Sequence, residues 1–142
     1  MTKTARKCAM DLLARREHSK AELLRKLVSK DFAIDEAKLV IDELALEGLQ
    51  SDARFVDAYV HMRIGRGYGP IRIQMELQER GIAPELIKHA LDFDEEYWLD
   101  LANKTRTKKF GTKIPQDFAA KTKQMRYLQY KGFDNDVILR FS

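Results

Sequence analysis

Apolar residues recur three and four positions apart along nearly the whole chain, the period of one face of an α-helix, and no segment shows the strict alternation of a half-buried strand. The first such run, over residues 4–16, sets Ala5, Ala9, Leu12 and Leu13 on one side. After a turn at His18, Ser19 and Glu22 form a capping box that opens a helix carrying Leu23, Leu24 and Leu27. A third helix begins near Asp35 with Ala37, Val40, Ile41 and Leu44 inward, is ended by Gly48, and gives way to a cap at Ser51. Phe55, Ala58, Tyr59 and Met62 then mark a helix face running toward Gly65, Gly67 and Gly69. Pro70 opens the next helix, which carries Ile73 and Leu77, and Gly81 closes it; Pro84 opens another with Leu86, Ile87 and Ala90. Asp92, Asp94, Glu95 and Glu96 fall at the start of a helix holding Tyr97, Trp98, Leu101 and Ala102, where acidic side chains meet the positive end of the helix dipole. That helix stops near Phe110-Gly111; a long one with Phe118, Met125 and Leu128 follows, then Gly132 and a short last helix with Val137, Ile138 and Phe141.

These helices repeat. Leu27, Leu77 and Leu128 stand 50 and 51 residues apart, each followed by a break and an acidic helix start. Leu77 to Ile82 has its counterpart in Leu128 to Phe133, and Glu85 in Asp136, whereas Leu27 to Glu36 keeps the pattern with one residue inserted. Tyr68-Gly69 pairs with His18-Ser19 and with Phe110-Gly111. A period of this length made of three helices predicts an all-α protein of tandem three-helix repeats, three units and about nine helices, forming an elongated curved array. The expected boundaries are 1–50, 51–92 and 93–142.

Composition sharpens the picture. With 142 residues and 44% hydrophobic content the chain can supply a core. It has no apolar run long enough to span a bilayer and no apolar stretch of a signal peptide behind Lys3, Arg6 and Lys7, so a cytoplasmic monomer without membrane contact is expected. The lone cysteine, Cys8, lies on the apolar stripe of the first helix and reads as a small buried hydrophobe. The net charge of +4 is uneven: residues 1–50 hold ten Lys/Arg against nine Asp/Glu, residues 51–100 six against ten, and residues 101–142 ten against three. A strongly basic block beside an acidic one fits two kinds of partner surface, one of them a polyanion.

Candidates for chemistry fall away one by one. The glycines at 65, 67 and 69 have the spacing G-x-G-x-G, follow a helix, and lack the G-K-[ST] of a phosphate loop. His18, His61 and His89 are isolated, without metal-ligand spacing, and the carboxylates sit at helix starts or on polar faces. A non-enzyme without cofactor or metal is expected.

One family resemblance then stands out. Ser51-Asp52-Ala53-Arg54-Phe55-Val56, followed by Gly67-Tyr68-Gly69-Pro70-Ile71-Arg72-Ile73 and Glu76-Leu77, resembles the central motif of RecX. The likeness extends to His18-Ser19-Lys20-Ala21-Glu22-Leu23 and to Tyr130-Lys131-Gly132-Phe133, and so covers essentially the whole chain. RecX proteins are small bacterial regulators of the RecA recombinase. The resemblance implies a protein that inserts into the groove of the RecA filament on DNA and inhibits its ATPase, strand-exchange and co-protease activities. It carries over no catalytic residues.

The residues themselves supply two binding sets. Arg54, Arg63, Arg66 and Arg72, with Tyr68, flank the glycine turn; Arg63 and Arg66 are three apart and are expected to share a face, where guanidinium groups meet carboxylate or phosphate bidentately. These are the candidates for RecA. Lys104, Arg106, Lys108, Lys109, Lys113, Lys121, Lys123 and Arg126, interleaved with Phe110, Phe118 and Tyr127, suit weak, nonspecific contact with single- and double-stranded DNA. Two rival readings come from other classes: a free-standing helical DNA-binding protein, and a helical-repeat scaffold for another protein.

Overall fold

The computed structural model describes residues 2–141. Among them are α1 (Ala5–Arg15), α2 (Lys20–Ser29), α3 (Ile34–Leu46), α4 (Asp52–Gly65), α5 (Pro70–Glu79), α6 (Pro84–Ala90), α7 (Glu95–Phe110), α8 (Phe118–Lys131), α9 (Asn135–Ile138) and a closing 3-10 turn, Leu139–Phe141. The fold is all-α, and no strand occurs among the described residues. No helix among them is long and apolar enough to cross a membrane.

Local chemistry accounts for most of the boundaries. Thr4, Asp94, Asp117 and Asp134 each accept the backbone N–H three residues on, satisfying one of the orphan donors of a first turn. Ser19 and Glu22 make the reciprocal capping box expected of them. Ser51 accepts from the Arg54 N–H at 3.2 Å. The second helix of every repeat ends in the same way: Phe32, Ile82 and Phe133 donate their N–H groups to Leu27, Leu77 and Leu128 at 3.2, 3.2 and 3.1 Å. This bond requires the preceding residue to be left-handed. Gly81 and Gly132 fill that place in the later repeats, and Asp31, at φ 72, fills it in the first.

Two details of the expected repeat are thereby corrected. No residue is inserted between Leu27 and Glu36: α3, α6 and α9 begin at Ile34, Pro84 and Asn135, so Asp35 matches Glu85 and Asp136. Without a glycine at 31, the left-handed position does not announce itself in the sequence. Nor does Phe110-Gly111 match Tyr68-Gly69, because α8 is capped by Asp117 and runs 14 residues against 10 for α5.

The chain packs as two compact units, one comprising the chain through Ala58 with Leu77–Ile87, the other Tyr59–Glu76 with the chain from Lys88 on. The first has a core of Cys8, Ala9, Leu23, Leu27, Ala37, Ile41 and Leu44, with Leu12, Leu13 and Leu24 packed against it. Cys8 is buried there as a small apolar side chain. The second is built on Trp98, Ala102, Leu128, Phe133, Val137 and Ile138. In α4 the expected face was wrong by one position. Phe55, Val56 and Val60 are buried, whereas Ala58 and Met62 are exposed, because two apolar sets three and four apart coexist in this helix and spacing cannot rank them.

His18 is only 2% exposed in the first unit. An ammonium can only donate, so the 3.2 Å contact from Lys26 Nζ makes Nε2 the acceptor and leaves the proton on Nδ1, which donates to the Arg16 carbonyl at 3.0 Å. Burial is the main cause that lowers the imidazole pKa below its ordinary 6.5, and the charges of Arg16 and Lys26 add to it. A depressed folded-state value means the neutral ring contributes stability fully above the unfolded-state value, and that contribution is lost as pH falls. Urea denaturation at pH 8, 7, 6 and 5 is expected to reveal stability falling below about pH 6.5; in His18→Gln this part of the pH slope should disappear.

Candidate functional site

In the second unit the glycine turn is pressed against the end of α8. Gly69 N–H donates to the Lys131 carbonyl at 2.7 Å, and Ile71 N–H to the Gly132 carbonyl at 3.0 Å. Two of the orphan donors at the start of α5 are thus satisfied by the last carbonyls of another helix. The approach leaves no room for side chains: a Cβ on Gly69 would lie 2.6 Å from the Gly132 carbonyl oxygen. A Cβ on Gly132 would overlap Arg72. Pro70 fits beside this contact, since it has no N–H to satisfy and its fixed φ suits a first turn.

Around the turn, the motif residues face one another. Glu76 accepts from Arg63 Nε and Nη2 at 2.8 and 2.7 Å, from the Tyr59 hydroxyl at 2.9 Å and from Arg72 Nε at 3.2 Å. Burial works against the Glu76 charge, but these donors outweigh it and hold the carboxyl below its usual range. Arg72 also donates to the Tyr130 carbonyl at 3.1 Å and stacks at 4.6 Å from the rings of both Tyr68 and Tyr130. The Tyr68 ring further receives Arg63 at 3.8 Å and Lys131 at 3.7 Å. Lys131 is 8% exposed and donates to the Arg66 carbonyl at 3.0 Å; its burial lowers its pKa.

The expected arginine set therefore divides. Arg63, Tyr68 and Arg72 are brought together, yet both guanidinium groups and the face of the Tyr68 ring are engaged within the unit. Arg63 and Arg66 do not share a helix face, because α4 ends at Gly65 and Arg66 lies in the turn beyond it, exposed. Arg54 belongs to the first unit, where it binds Glu17 at 3.0 Å and the Gly48 carbonyl at 2.8 Å. Sequence reasoning placed Tyr59 on a helix face and Glu76, Tyr130 and Lys131 in the family likeness without assigning them to the site, although Arg72 and Glu76 stand four apart, the spacing of a helical ion pair.

The basic set is also reduced by one. Arg106 is 3% exposed, with Nη2 donating to Asn103 and the guanidinium 5.2 Å from the Phe141 ring, so it is not presented to a polyanion. Its place on the buried side of α7 was legible, four residues past Ala102 and eight past Trp98. Lys104, Lys108, Lys109, Lys113, Lys123 and Arg126 are exposed, and Lys121 is half-buried. Lys104, Lys108 and Lys109 line a cavity of about 640 Å³ together with Arg66, Lys131, Tyr97 and Tyr127. Phe118 stands free in solvent, and Phe110 packs edge-on against Tyr127 with ring centroids 5.3 Å apart. Among the described residues no three His, Cys, Asp or Glu side chains converge as a metal site requires.

Comparison with known proteins places this geometry. Three family models match in succession, described as the first, second and third three-helix domains of RecX, over residues 5–44, 51–91 and 95–141. The regulatory protein RecX of Pseudomonas putida (strain GB-1) is 42% identical over 135 residues, which is 95% of this chain and 86% of that protein. That of Legionella pneumophila (strain Corby) is 41% identical over 130 residues, 92% of this chain and 87% of the other. A crystal structure of RecX from Lactobacillus salivarius superposes with a TM-score of 0.79 at 20% identity, covering 96% of this chain and 91% of that one.

Two substitutions probe the site. Gly69→Val drives a branched side chain into a backbone carbonyl and is expected to cost about 3 kcal/mol, at the upper end of overpacking effects, read as a lowered urea midpoint. An unfolding free energy within about 0.5 kcal/mol of the parent, the size of an ordinary surface change, would contradict it. Glu76→Ala strands two guanidinium groups and should cost about 2 kcal/mol, discounted for partial exposure. The folded-state pKa of Glu76 is depressed, so its contribution is complete above the unfolded value near 4.5 and is lost as pH falls, and the gap between parent and variant should narrow in acid.

Proposed function

The chain belongs to the RecX family, and from that premise we propose that it binds the RecA filament on DNA and lowers the filament's ATPase, strand-exchange and co-protease activities. The observation that carries this reading is the unbroken succession of three RecX domain matches, with relatives named regulatory protein RecX at 42% identity. The protein acts by binding and performs no chemistry of its own. Its three repeats, at 1–50, 51–92 and 93–142, divide the work: the motif repeat recognises the recombinase, and the basic third repeat grips nucleic-acid phosphates. Support for the division lies in the charge count, ten basic against three acidic residues after position 100 and six against ten between 51 and 100.

Within the motif repeat, Arg63, Tyr68 and Arg72 shape the surface, and the exposed guanidinium of Arg66 supplies the contact. No carboxylate among the described residues pairs with Arg66, which leaves all its donors available for a partner's carboxylates. The test is titration of purified protein into a RecA ATPase assay on single-stranded DNA. Hydrolysis is expected to fall in a saturable manner, and Arg66→Ala should raise the half-inhibitory concentration by about tenfold, the equivalent of about 1.4 kcal/mol, with helicity unchanged. Hydrolysis unaffected by excess protein sinks the regulatory reading; inhibition undiminished in Arg66→Ala sinks the assignment to this arginine.

A further inference from the structure

The cavity beside the glycine turn has an unusual lining. It lies within the second unit, walled by the Gly65–Gly67 turn, one face of α7 and the side of α8. Its charged side chains are five cations, Arg66, Lys104, Lys108, Lys109 and Lys131, against the single carboxylate of Asp100. None of Lys104, Lys108 and Lys109 forms an ion pair with a described residue. Lys104 and Lys108 are four apart on one helix face, where like charges repel. The helix dipole favours Lys108 and Lys109 in the last turn of α7, but it does not account for Arg66 and Lys131, which reach the same space from other elements.

The apolar part of the lining is aromatic. Tyr127 and Tyr97 both border the cavity. Tyr127 has Phe110 packed at right angles to it and the Lys109 ammonium 5.6 Å from its ring, and Tyr97 is stacked on Phe93 with centroids 4.3 Å apart and is 38% exposed. Both rings are thus held in place by neighbours, as a stacking platform must be.

From this convergence of unpaired lysines and fixed tyrosines on one cavity, we infer that the pocket binds a nucleotide unit of a single strand, its base against Tyr127 and Tyr97 and its phosphates on Lys104, Lys108 and Lys109. A volume of about 640 Å³ admits a base with its sugar. A base inside a duplex is unavailable to such a pocket, so the pocket favours single over double strands. The inference rests on the phosphate-binding half of the proposed function. Its test contains no recombinase, so failure here leaves the regulatory half standing, and loss of RecA inhibition leaves the pocket standing.

Fluorescence anisotropy of a labelled thymidine oligomer, titrated with the full chain over a range of salt, reads the outcome. Lys104→Gln/Lys108→Gln is expected to weaken binding at least tenfold and to lower the salt slope by about 1.4, from roughly 0.7 per lost phosphate contact. Lys113→Gln/Lys123→Gln removes the same charge from exposed positions of the basic third outside the cavity lining and should cost less than threefold. Tyr127→Leu should weaken binding about tenfold, within the range of one lost stacking contact, and Tyr127→Phe should restore it. Should Tyr127→Leu lose helicity, Tyr97→Leu, at an exposed position, reads the same stacking. Equal losses from the two lysine pairs overturn the inference by reducing the pocket to general charge. Displacement by oligoglutamate at matched charge, with both tyrosine variants silent, overturns it in favour of an acidic protein segment. Tighter binding of free thymidine triphosphate than of the oligomer overturns the assignment to a strand.

Discussion

Within the second unit, everything around the motif depends on one backbone contact, the seating of the start of α5 on the last carbonyls of α8. An N–H at 2.7 Å from the Lys131 carbonyl fixes where Gly69 lies, and the absence of a Cβ at Gly69 and Gly132 is what permits it. From that contact the rest follows by geometry. Arg72, one residue past Ile71, is brought against the Tyr130 carbonyl, Lys131 is carried over the Tyr68 ring, and Glu76, one turn along α5, receives Arg63. The first unit solves the same problem with different atoms. There Ser19 Oγ donates to the Arg80 carbonyl at 2.8 Å, and Gly81 gives way to Ala21, whose Cβ would lie 2.5 Å from a Cβ at 81. Positions 19 and 69, and positions 80 and 131, are the repeat partners offset by 50 and 51 residues, so the period in the sequence is a period of this contact.

This contact also changes what the motif residues mean. A Gly-Tyr-Gly-Pro stretch flanked by arginines invites a reading as a ligand loop, and two of its arginines turn out to be the clamps of a carboxylate. A bidentate guanidinium whose side chain is 12% exposed is held by its partner more firmly than an exposed pair, and it is lost to external recognition in the same measure. Tyr68 offers its ring face to three cations, and with the Glu76 carboxylate it offsets part of the repulsion among Arg63, Arg72 and Lys131. The residues that resemble the family motif most closely are thus architectural.

How legible this was in the sequence depends on the distance over which each feature acts. Caps and helix ends are decided within four or five residues, and Ser19 with Glu22, Pro70, Gly81 and Gly132 could be read directly. The repeat was legible from Leu27, Leu77 and Leu128 because each supplies the carbonyl of the same closing bond. Asp31 was not, since a left-handed aspartate carries no mark in one sequence. The faces of α4 failed for a related reason: Phe55, Ala58, Tyr59 and Met62 satisfy the helical period as well as the buried Phe55, Val56 and Val60 do, and only tertiary packing chooses. Of the site, the basic residues were legible as a composition and not as a constellation. That Arg66 lies by the lysines of α7, and that Arg106 is withdrawn from them, depends on helix rotation set by contacts 30 to 40 residues away in the chain.

Burial and pairing together sort the cations of the second unit into two populations. Arg63, Arg72 and Lys131 are paired or stacked, and their contribution is to stability and shape. Lys104, Lys108 and Lys109 form no ion pair with a described residue, although Asp100 lies in the same cavity and acidic residues stand in the first turn of α7. Of the acidic residues at that end, Asp94 caps the helix and Glu95 meets Arg140 at 3.4 Å. A helix thus carries its negative charge at one end, where its own dipole and cap hold it, and gathers positive charge at the other beside two tyrosines. Such a separation costs little while the lysines remain in water. On the proposed reading, a polyanion with stacking faces would turn that separation into binding energy by displacing the water and its counterions.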